Sequence, residues 1–169
     1  KSDFETSGAG VVENQELIAL GSNASLKGIG ILAEYGFVYE PQFQDDATRR
    51  AMTREMAYQT YQGLKNYFTK KEPTNTTTLL PFRWERSLTQ DARPDGDVLA
   101  LQAALHRISL YPPPGKAFSD CPLTGVFGPC TKEAVKIFQA TYGITSGDGF
   151  VGELTLQKLN ELFNAVAVK

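Results

Sequence analysis

A short repeat, Gly-x-x-Gly-x-x-Thr, occurs twice near the end of the chain and limits how this part can fold. Its two copies are Gly125, Gly128 and Thr131, and Gly149, Gly152 and Thr155. In each copy the first glycine permits a tight turn, and the second lies at or next to a helix N-cap. The threonine hydroxyl can then bond a backbone group in the first helical turn. Each copy therefore predicts a turn followed by a helix.

Three stretches with apolar residues at helical spacing surround this repeat. The first follows a predicted N-cap at Asp95, and each of the others follows one glycine turn. The apolar positions are Val98, Leu101, Leu105 and Ile108, then Ala134, Val135, Phe138 and Tyr142, then Leu156, Leu159 and Phe163. Gly143 supplies a C-terminal stop for the second stretch. The pattern predicts an all-α bundle of three helices within residues 90–169.

The first 70 residues are predicted to form two strands and a helix. The segments ELIAL (residues 16–20) and IGILAEY (residues 29–35) are short apolar runs of the kind found in buried strands. Asp45 or Asp46 then caps a long helix, whose apolar stripe is Ala57, Tyr61, Leu64 and Phe68. The residues expected on its solvated face are Arg49, Arg50, Arg54 and Glu55. The fold class is therefore α+β overall, with a partial α/β segment before the all-α bundle.

Residues 71–89 are predicted to be a linker. Pro73, a run of threonines and Pro81 interrupt any regular pattern in this part of the chain. The stretch LLPFRW (residues 79–84) can pack against one of its neighbours. The chain thus divides into a first segment at 1–70, the linker, and a helical domain at 90–169.

The charge and hydropathy of the chain exclude two classes of partner. The 169 residues carry a net charge of -2 with scattered Lys and Arg, so no basic patch for nucleic acid is expected. No apolar run approaches the roughly 20 residues that span a bilayer, so no membrane span is expected. The chain starts at Lys1 without a signal peptide or an initiator methionine, and we expect a processed, cloned or truncated piece.

The two cysteines, Cys121 and Cys130, lie close together in a Pro/Gly-rich segment. Their spacing suits a disulfide in an exported domain, where it would close a loop of about ten residues. The alternative is two free thiols in a reducing compartment. No zinc site is expected here, because this is not the spacing of a metal knuckle and His106 is the single histidine. His106 itself is expected to be a surface residue.

The sequence after residue 90 resembles the peptidoglycan-binding domain of three-helix type. Besides the glycine repeat, the matching positions include Gly96-Asp97-Val98, Leu101-Gln102, Phe138-Gln139 and Val151-Gly152. A departure is the proline-rich insertion YPPPGKAFSDCPL (residues 111–123) between the first two helices. The resemblance implies peptidoglycan as the partner. It also implies an extracellular or cell-wall location in a bacterium, or a periplasmic one.

Three aromatic residues near the glycine turns are candidates for substrate binding. They are Phe127, Tyr142 and Phe150. Each ring could stack on a glycan, and the alternative is that these rings belong to the core.

The first 70 residues resemble the closing segment of zinc-dependent N-acetylmuramoyl-L-alanine amidases. Gly10-Val11, ELIAL, ILAEYGF and a long helix follow in the order found in that family. Glu34 matches the catalytic carboxylate of the family. A carboxylate at the end of a buried strand has a raised pKa and can exchange a proton near neutral pH. The alternative is a partly exposed Glu34 that pairs with an arginine.

The resemblance implies that two histidines and a glutamate upstream of this segment hold zinc in the intact parent. This chain carries none of these ligands, so alone it is expected to bind no zinc and to be inactive. The leading hypothesis is a fragment of a cell-wall hydrolase, an N-acetylmuramoyl-L-alanine amidase, with a C-terminal peptidoglycan-binding module. The alternatives are a non-catalytic peptidoglycan-binding protein and a helical module for protein interaction.

Overall fold

The computed structural model describes residues 37–71, 76–145 and 147–164. The elements of this part, in chain order, are α1 Pro41–Gln44, α2 Asp46–Thr69, β1 Asp91–Pro94, α3 Gly96–Arg107, β2 Val126–Phe127, α4 Pro129–Thr141 and α5 Glu153–Phe163. Content here is mainly helical, with one small sheet. No helix among the described residues is both long and apolar enough to cross a membrane. The predicted strands at 16–20 and 29–35, and Glu34 with them, lie outside the described residues.

Helices α3, α4 and α5 confirm the three predicted helices. The Asp95 carboxylate caps α3 by accepting a hydrogen bond of 2.8 Å from the Asp97 backbone N–H. Gly128 and Gly152 are the N-caps of α4 and α5, and Pro129 occupies the first turn of α4. Most residues of the predicted stripes are fully buried, namely Leu101, Leu105, Ala134, Val135, Phe138 and Leu159, whereas Ile108, Tyr142 and Leu156 are partly buried. The helical core therefore follows from local periodicity.

The bundle is not purely helical, because residues 80–95, here called the strap, run across it. Leu88 and Val151 exchange two backbone hydrogen bonds, of 3.1 and 3.0 Å. Further along, β1 pairs antiparallel with β2, and Asp91 lies opposite Phe127. The strap thus bridges both glycine turns. The prediction of an all-α domain is wrong here, because the extended turns expose backbone groups with which the strap forms strand-like pairs.

The side chains of the strap complete the core. Leu80, Trp84 and Leu88 are buried and belong to the same apolar cluster as the helices. The Asn160 side chain accepts a hydrogen bond of 2.9 Å from the Trp84 N–H and donates one of 2.8 Å to the Trp84 carbonyl. The Trp84 indole N–H donates to the Asp97 carbonyl at 2.9 Å. The core of the helical domain therefore includes side chains from Leu80 onwards, within the stretch predicted as a linker.

Helix α2 begins at the predicted cap but buries a different face. The Asp45 carboxylate accepts a hydrogen bond of 2.7 Å from the Thr48 N–H. Tyr61, Leu64 and Phe68 of the predicted core stripe are 58%, 42% and 75% exposed. The buried residues of α2 are instead Thr48, Met52 and Glu55, in its first half. This half packs against α3, so the neighbouring helix determines which residues are covered.

Glu55 is buried although the sequence places it on the solvated face. Its carboxylate accepts hydrogen bonds from the Thr78 backbone N–H at 2.7 Å and from the Thr78 hydroxyl at 2.6 Å. Gln59 also donates to it at 2.7 Å. Glu55 therefore holds the chain that returns beside α2 on its way to the strap.

Candidate functional site

A buried glutamine fixes the first glycine turn. The Gln102 side-chain oxygen accepts hydrogen bonds from the Thr124 and Gly125 N–H groups, at 3.1 and 3.0 Å. Its amide nitrogen donates to the Val126 carbonyl at 3.0 Å and to the Thr131 hydroxyl at 2.9 Å. These four bonds use the full capacity of one side-chain amide, two as acceptor and two as donor. The turn is therefore held at four points by a single side chain.

The second glycine turn is held in the same way by Gln139. Its oxygen accepts from the Gly149 N–H at 2.9 Å, and its nitrogen donates to the Phe150 carbonyl at 2.8 Å and the Thr155 hydroxyl at 3.1 Å. The threonine of each copy thus accepts a hydrogen bond from a buried glutamine. The sequence predicted instead that its hydroxyl bonds a backbone group of the first helical turn. The sequence signal for this contact is the glutamine that directly follows a core residue in each helix, Gln102 after Leu101 and Gln139 after Phe138.

The first glycine of each copy cannot be replaced by a larger residue. Gly125 has φ +74°, and a Cβ on it would lie 2.9 Å from the Asp95 carbonyl oxygen. Gly149 has φ +79°, and its Cβ would lie 2.6 Å from Lys132 Cγ. Both conditions, a left-handed backbone and close contact, require glycine. The first glycine of the repeat is therefore needed for folding, because it lets the turn backbone contact Asp95 in one copy and Lys132 in the other.

The three candidate aromatic residues do not form one surface. Phe127 is 1% exposed, so its ring belongs to the core and cannot stack on a glycan. Phe150 is 41% exposed, and its ring lies over Gly152. In the repeat, Phe127 corresponds to Val151 and Phe150 to Val126. Phe127 and Val151 are both buried in the core, and each also pairs with a residue of the strap.

Tyr142 is half-buried at the end of α4. Its ring lies 4.7 Å from that of Phe138, and the Lys158 ammonium group lies 5.2 Å from its centroid. A cation over an aromatic face is a stabilising contact within the fold. Of the three predicted residues, Phe150 therefore presents the most accessible ring.

The proline-rich insertion is tied to the bundle at both ends. Cys121 and Cys130 form the predicted disulfide. The Tyr111 hydroxyl donates to the Pro122 carbonyl at 3.0 Å. His106 is half-buried, with Nδ1 at 2.9 Å from the Tyr111 carbonyl and its ring edge against Phe118. The predicted surface histidine is therefore part of the packing beneath this insertion.

A groove of about 620 Å³ lies between the start of α2 and the strap. Its walls are Gln44 and Asp45 on one side and strap residues from Arg86 to Asp95 on the other, with Val98 of α3 also in its lining. Leu88 and Val98 are buried apolar residues of the core, and the rest of the lining is mostly polar. The groove therefore combines an apolar floor with polar walls, as ligand sites commonly do.

Two arginines line this groove, and carboxylates fix both of them. Arg86 forms ion pairs with Asp95 and with Asp97, the latter at 2.9 Å. Hydrogen bonding to Asp95 is the main cause of the raised pKa of Arg86. Arg93 pairs with Asp91 at 3.0 and 3.3 Å, and these bonds lower the pKa of Asp91 and raise the pKa of Arg93.

The pKa values of two further carboxylates near the groove, those of Asp45 and Asp97, are shifted in opposite directions. The Thr48 N–H, which donates to the Asp45 carboxylate, lowers the pKa of Asp45. Burial raises the pKa of Asp97, although Arg86 opposes the shift. The groove thus contains both carboxylates and guanidinium groups, and each is held by a hydrogen bond or an ion pair to a neighbour. No group of three His, Cys, Asp or Glu side chains within the described ranges is arranged to hold a metal ion.

Comparison with known protein families gives a match for the part of the chain that contains α3, α4 and most of α5. The model of the peptidoglycan binding domain family matches residues 94–159. This range contains α3, α4, both glycine turns and the first part of α5. No curated protein and no solved structure matches the chain. Residues 94–159 are therefore a peptidoglycan-binding domain, and most of the strap lies outside the matched range although it completes the core.

Proposed function

We propose that this chain attaches the protein that contains it to bacterial peptidoglycan. The observation that carries the proposal is the family match over residues 94–159, which includes both glycine turns and the glutamines that hold them. The disulfide between Cys121 and Cys130 agrees with a location outside the reducing cytosol, in the cell wall or beyond it. The function of the described residues is thus adhesion to the wall.

Co-sedimentation with purified peptidoglycan tests this proposal. We expect the chain to pellet with the polymer in a saturable way and to be released by soluble peptidoglycan fragments. Cellulose particles of equal mass serve as the control for nonspecific pelleting. Equal recovery on cellulose, or no recovery on peptidoglycan, would contradict wall binding.

We further propose that the intact protein is an N-acetylmuramoyl-L-alanine amidase with Glu34 as its catalytic carboxylate. The support is the order of the sequence segments at residues 10–35, followed by a long helix, although the acidic start of that helix is shifted relative to the family. The described residues do not fit a zinc ion, because the single histidine, His106, bonds Tyr111 and no ligand group surrounds it. Any zinc ion in the intact protein would therefore be bound by residues other than those the structure describes.

Release of stem peptides from muropeptides by the full-length protein tests the amidase proposal. Removing a general base typically costs a factor of about 100 to 10,000 in rate, and we expect such a loss in Glu34→Gln with unchanged zinc content. Glu133→Gln, at an exposed position of α4, is the matched control and should retain full activity. A wild-type protein that binds the wall but releases no peptide would instead support a non-catalytic peptidoglycan-binding protein.

A further inference from the structure

The groove between α2 and the strap brings arginines and carboxylates together above two buried apolar residues, Leu88 and Val98. We propose that it binds the peptide stems of peptidoglycan and not the glycan chain. This inference rests on the proposed attachment to peptidoglycan and assigns the part of the polymer that is recognised. The groove residues that carry it are Arg86, Arg93, Asp45, Asp91 and Asp95.

The lining of the groove suits a charged ligand better than a sugar chain. Glycan strands present hydroxyl and N-acetyl groups, and an aromatic face is the usual platform for a sugar ring. No aromatic residue lines the groove, and the exposed ring of Phe150 is not among its walls. Stem peptides carry carboxylates, amides and the ammonium group of a diamino acid. The charged walls therefore match the stem.

Arg93 is held in position with donors to spare. Its Nε and Nη2 groups bond the two oxygens of Asp91, which leaves both N–H groups of Nη1 and one of Nη2 for another acceptor. The side chain is 86% exposed, so a carboxylate can reach this edge. A guanidinium group that is already oriented loses less entropy on binding than a free one. Arg93 is thus oriented to donate two hydrogen bonds to a carboxylate in a bidentate manner.

Arg86, an earlier residue of the strap, is also held by carboxylates. Its Nη2 and Nε groups bond Asp95 and Asp97, so its Nη1 group also retains free donors. The three carboxylates of the lining, Asp45, Asp91 and Asp95, outnumber the two arginines by one. A purely anionic ligand would be repelled by this excess, whereas a ligand with carboxylates and an ammonium group can satisfy both signs. Stem peptides with a diamino acid have this composition.

Binding of defined soluble ligands tests the inference. The probes are a disaccharide with its peptide stem, the same disaccharide without the stem, and the free stem peptide, each titrated calorimetrically against the full chain. We expect affinity for the two ligands that contain the stem and none for the bare disaccharide. Arg93→Gln should weaken stem binding about tenfold, since one charge-assisted bidentate contact is lost. Arg83→Gln, at an exposed arginine that pairs with Glu85 outside the groove, should leave affinity unchanged.

The outcomes separate this inference from the proposed function. If the bare disaccharide binds as tightly as the ligand with its stem, or if Arg93→Gln binds like wild type, the groove assignment is overturned. Retained co-sedimentation with whole peptidoglycan would then show that wall adhesion stands without it. If the chain binds neither intact peptidoglycan nor any soluble probe, both proposals fail. Thermal unfolding of Arg93→Gln confirms that the variant is folded before affinities are compared.

Discussion

The two glutamine clamps show how a single polar residue can determine a turn within an apolar core. Gln102 and Gln139 are buried, yet each side-chain amide is paired with the backbone of a glycine turn and with a threonine hydroxyl. A buried amide is tolerated when its hydrogen-bonding groups are satisfied, and its loss leaves the partner groups without bonds in a dry environment. The clamps therefore couple each helix to the turn that starts the next one.

Replacing Gln102 by leucine tests the first clamp. The variant keeps the side-chain volume but leaves the Thr124 and Gly125 N–H groups without their partner, so we expect the free energy of unfolding to fall by about 2–4 kcal/mol. Urea denaturation at neutral pH measures the difference. Gln90→Leu is the control, because Gln90 is exposed and its side-chain oxygen accepts a hydrogen bond of 3.3 Å from the Lys132 ammonium group at the surface. Equal stability of the two variants would contradict the role of the clamp.

The lowered pKa of Asp45 predicts how stability depends on pH. A carboxylate whose pKa is lower in the folded state contributes stability above the unfolded-state pKa of about 3.9, and this contribution is lost as pH falls through the folded pKa. Asparagine caps helices equally well but does not titrate. We therefore expect Asp45→Asn to lose less stability than wild type between neutral pH and about pH 2.5. Thermal unfolding across this range measures it, and parallel profiles would contradict the prediction.

Sequence patterns could place the aromatic residues near the turns but not assign their faces. Phe127 and Phe150 occupy adjacent, non-equivalent positions of the repeat, Phe127 in the core and Phe150 partly in solvent. Alternation along an extended segment leaves either position free to point inward. The choice depends on tertiary packing, because Phe127 and Val151 share the core with Trp84 and Leu88 of the strap, a distant part of the sequence. A contact of this kind leaves no local signature.

At the scale of elements, the packing of the strap into the core could not be predicted from the sequence. The helices were predicted because their apolar residues repeat locally and their caps lie next to them. The strap carries prolines and no regular pattern, and its partners Val151, Asn160 and Phe163 lie more than fifty residues away. Its burial is therefore decided by tertiary contacts and not by propensity.

Trp84 anchors the strap, so its truncation should loosen the whole domain. Trp84 is 2% exposed and packs against Phe82 and Phe163. We expect Trp84→Ala to lower the free energy of unfolding by about 3–5 kcal/mol, through lost burial and the cavity that remains. Denaturant unfolding followed by circular dichroism measures it. Arg83→Ala, next to it but exposed, should stay within about 0.5 kcal/mol of wild type, and a similar loss there would point away from the strap core.

The disulfide should stabilise the insertion by limiting the unfolded chain. A bridge that closes a loop of about ten residues contributes roughly 2.5 kcal/mol by loop entropy, and we expect reduction to lower stability by that amount. Unfolding curves with and without reductant measure the change. A double variant, Cys121→Ser with Cys130→Ser, is the control and should resemble the reduced protein in both conditions. A reductant effect that persists in the double variant would exclude the bridge as its cause.

At the scale of the whole molecule, α2 groups with the helices that follow it. The sequence places α2 in the first segment, residues 1–70, with an apolar stripe at Ala57, Tyr61, Leu64 and Phe68. The structure groups α2 with the rest of a compact unit, Phe37–Lys169, and buries its first half at Met52 and Glu55. Periodicity identified the helix and its cap, but the buried face depends on the neighbour, which periodicity does not specify.

This grouping predicts where the wall-binding unit can be cut. A fragment of residues 90–169 retains the three helices but lacks Met52, Leu80, Trp84 and Leu88. Full burial of each such side chain contributes about 1.5–3 kcal/mol, so together they approach the net stability of about 5–15 kcal/mol expected for a domain. We therefore expect residues 37–169 to unfold in one cooperative transition, and residues 90–169 to be largely unfolded and to leave peptidoglycan in the supernatant.

A third fragment, residues 76–169, separates the strap from α2. It keeps Leu80, Trp84 and Leu88 in the core and loses the contacts of Met52 and of Glu55 with Thr78. We expect it to fold, with a lower midpoint of denaturation than residues 37–169, and to co-sediment with peptidoglycan. Circular dichroism and dispersion of amide proton shifts report folding in all three fragments. If residues 90–169 fold as stably as residues 37–169, the strap is an accessory to the domain and not part of its core.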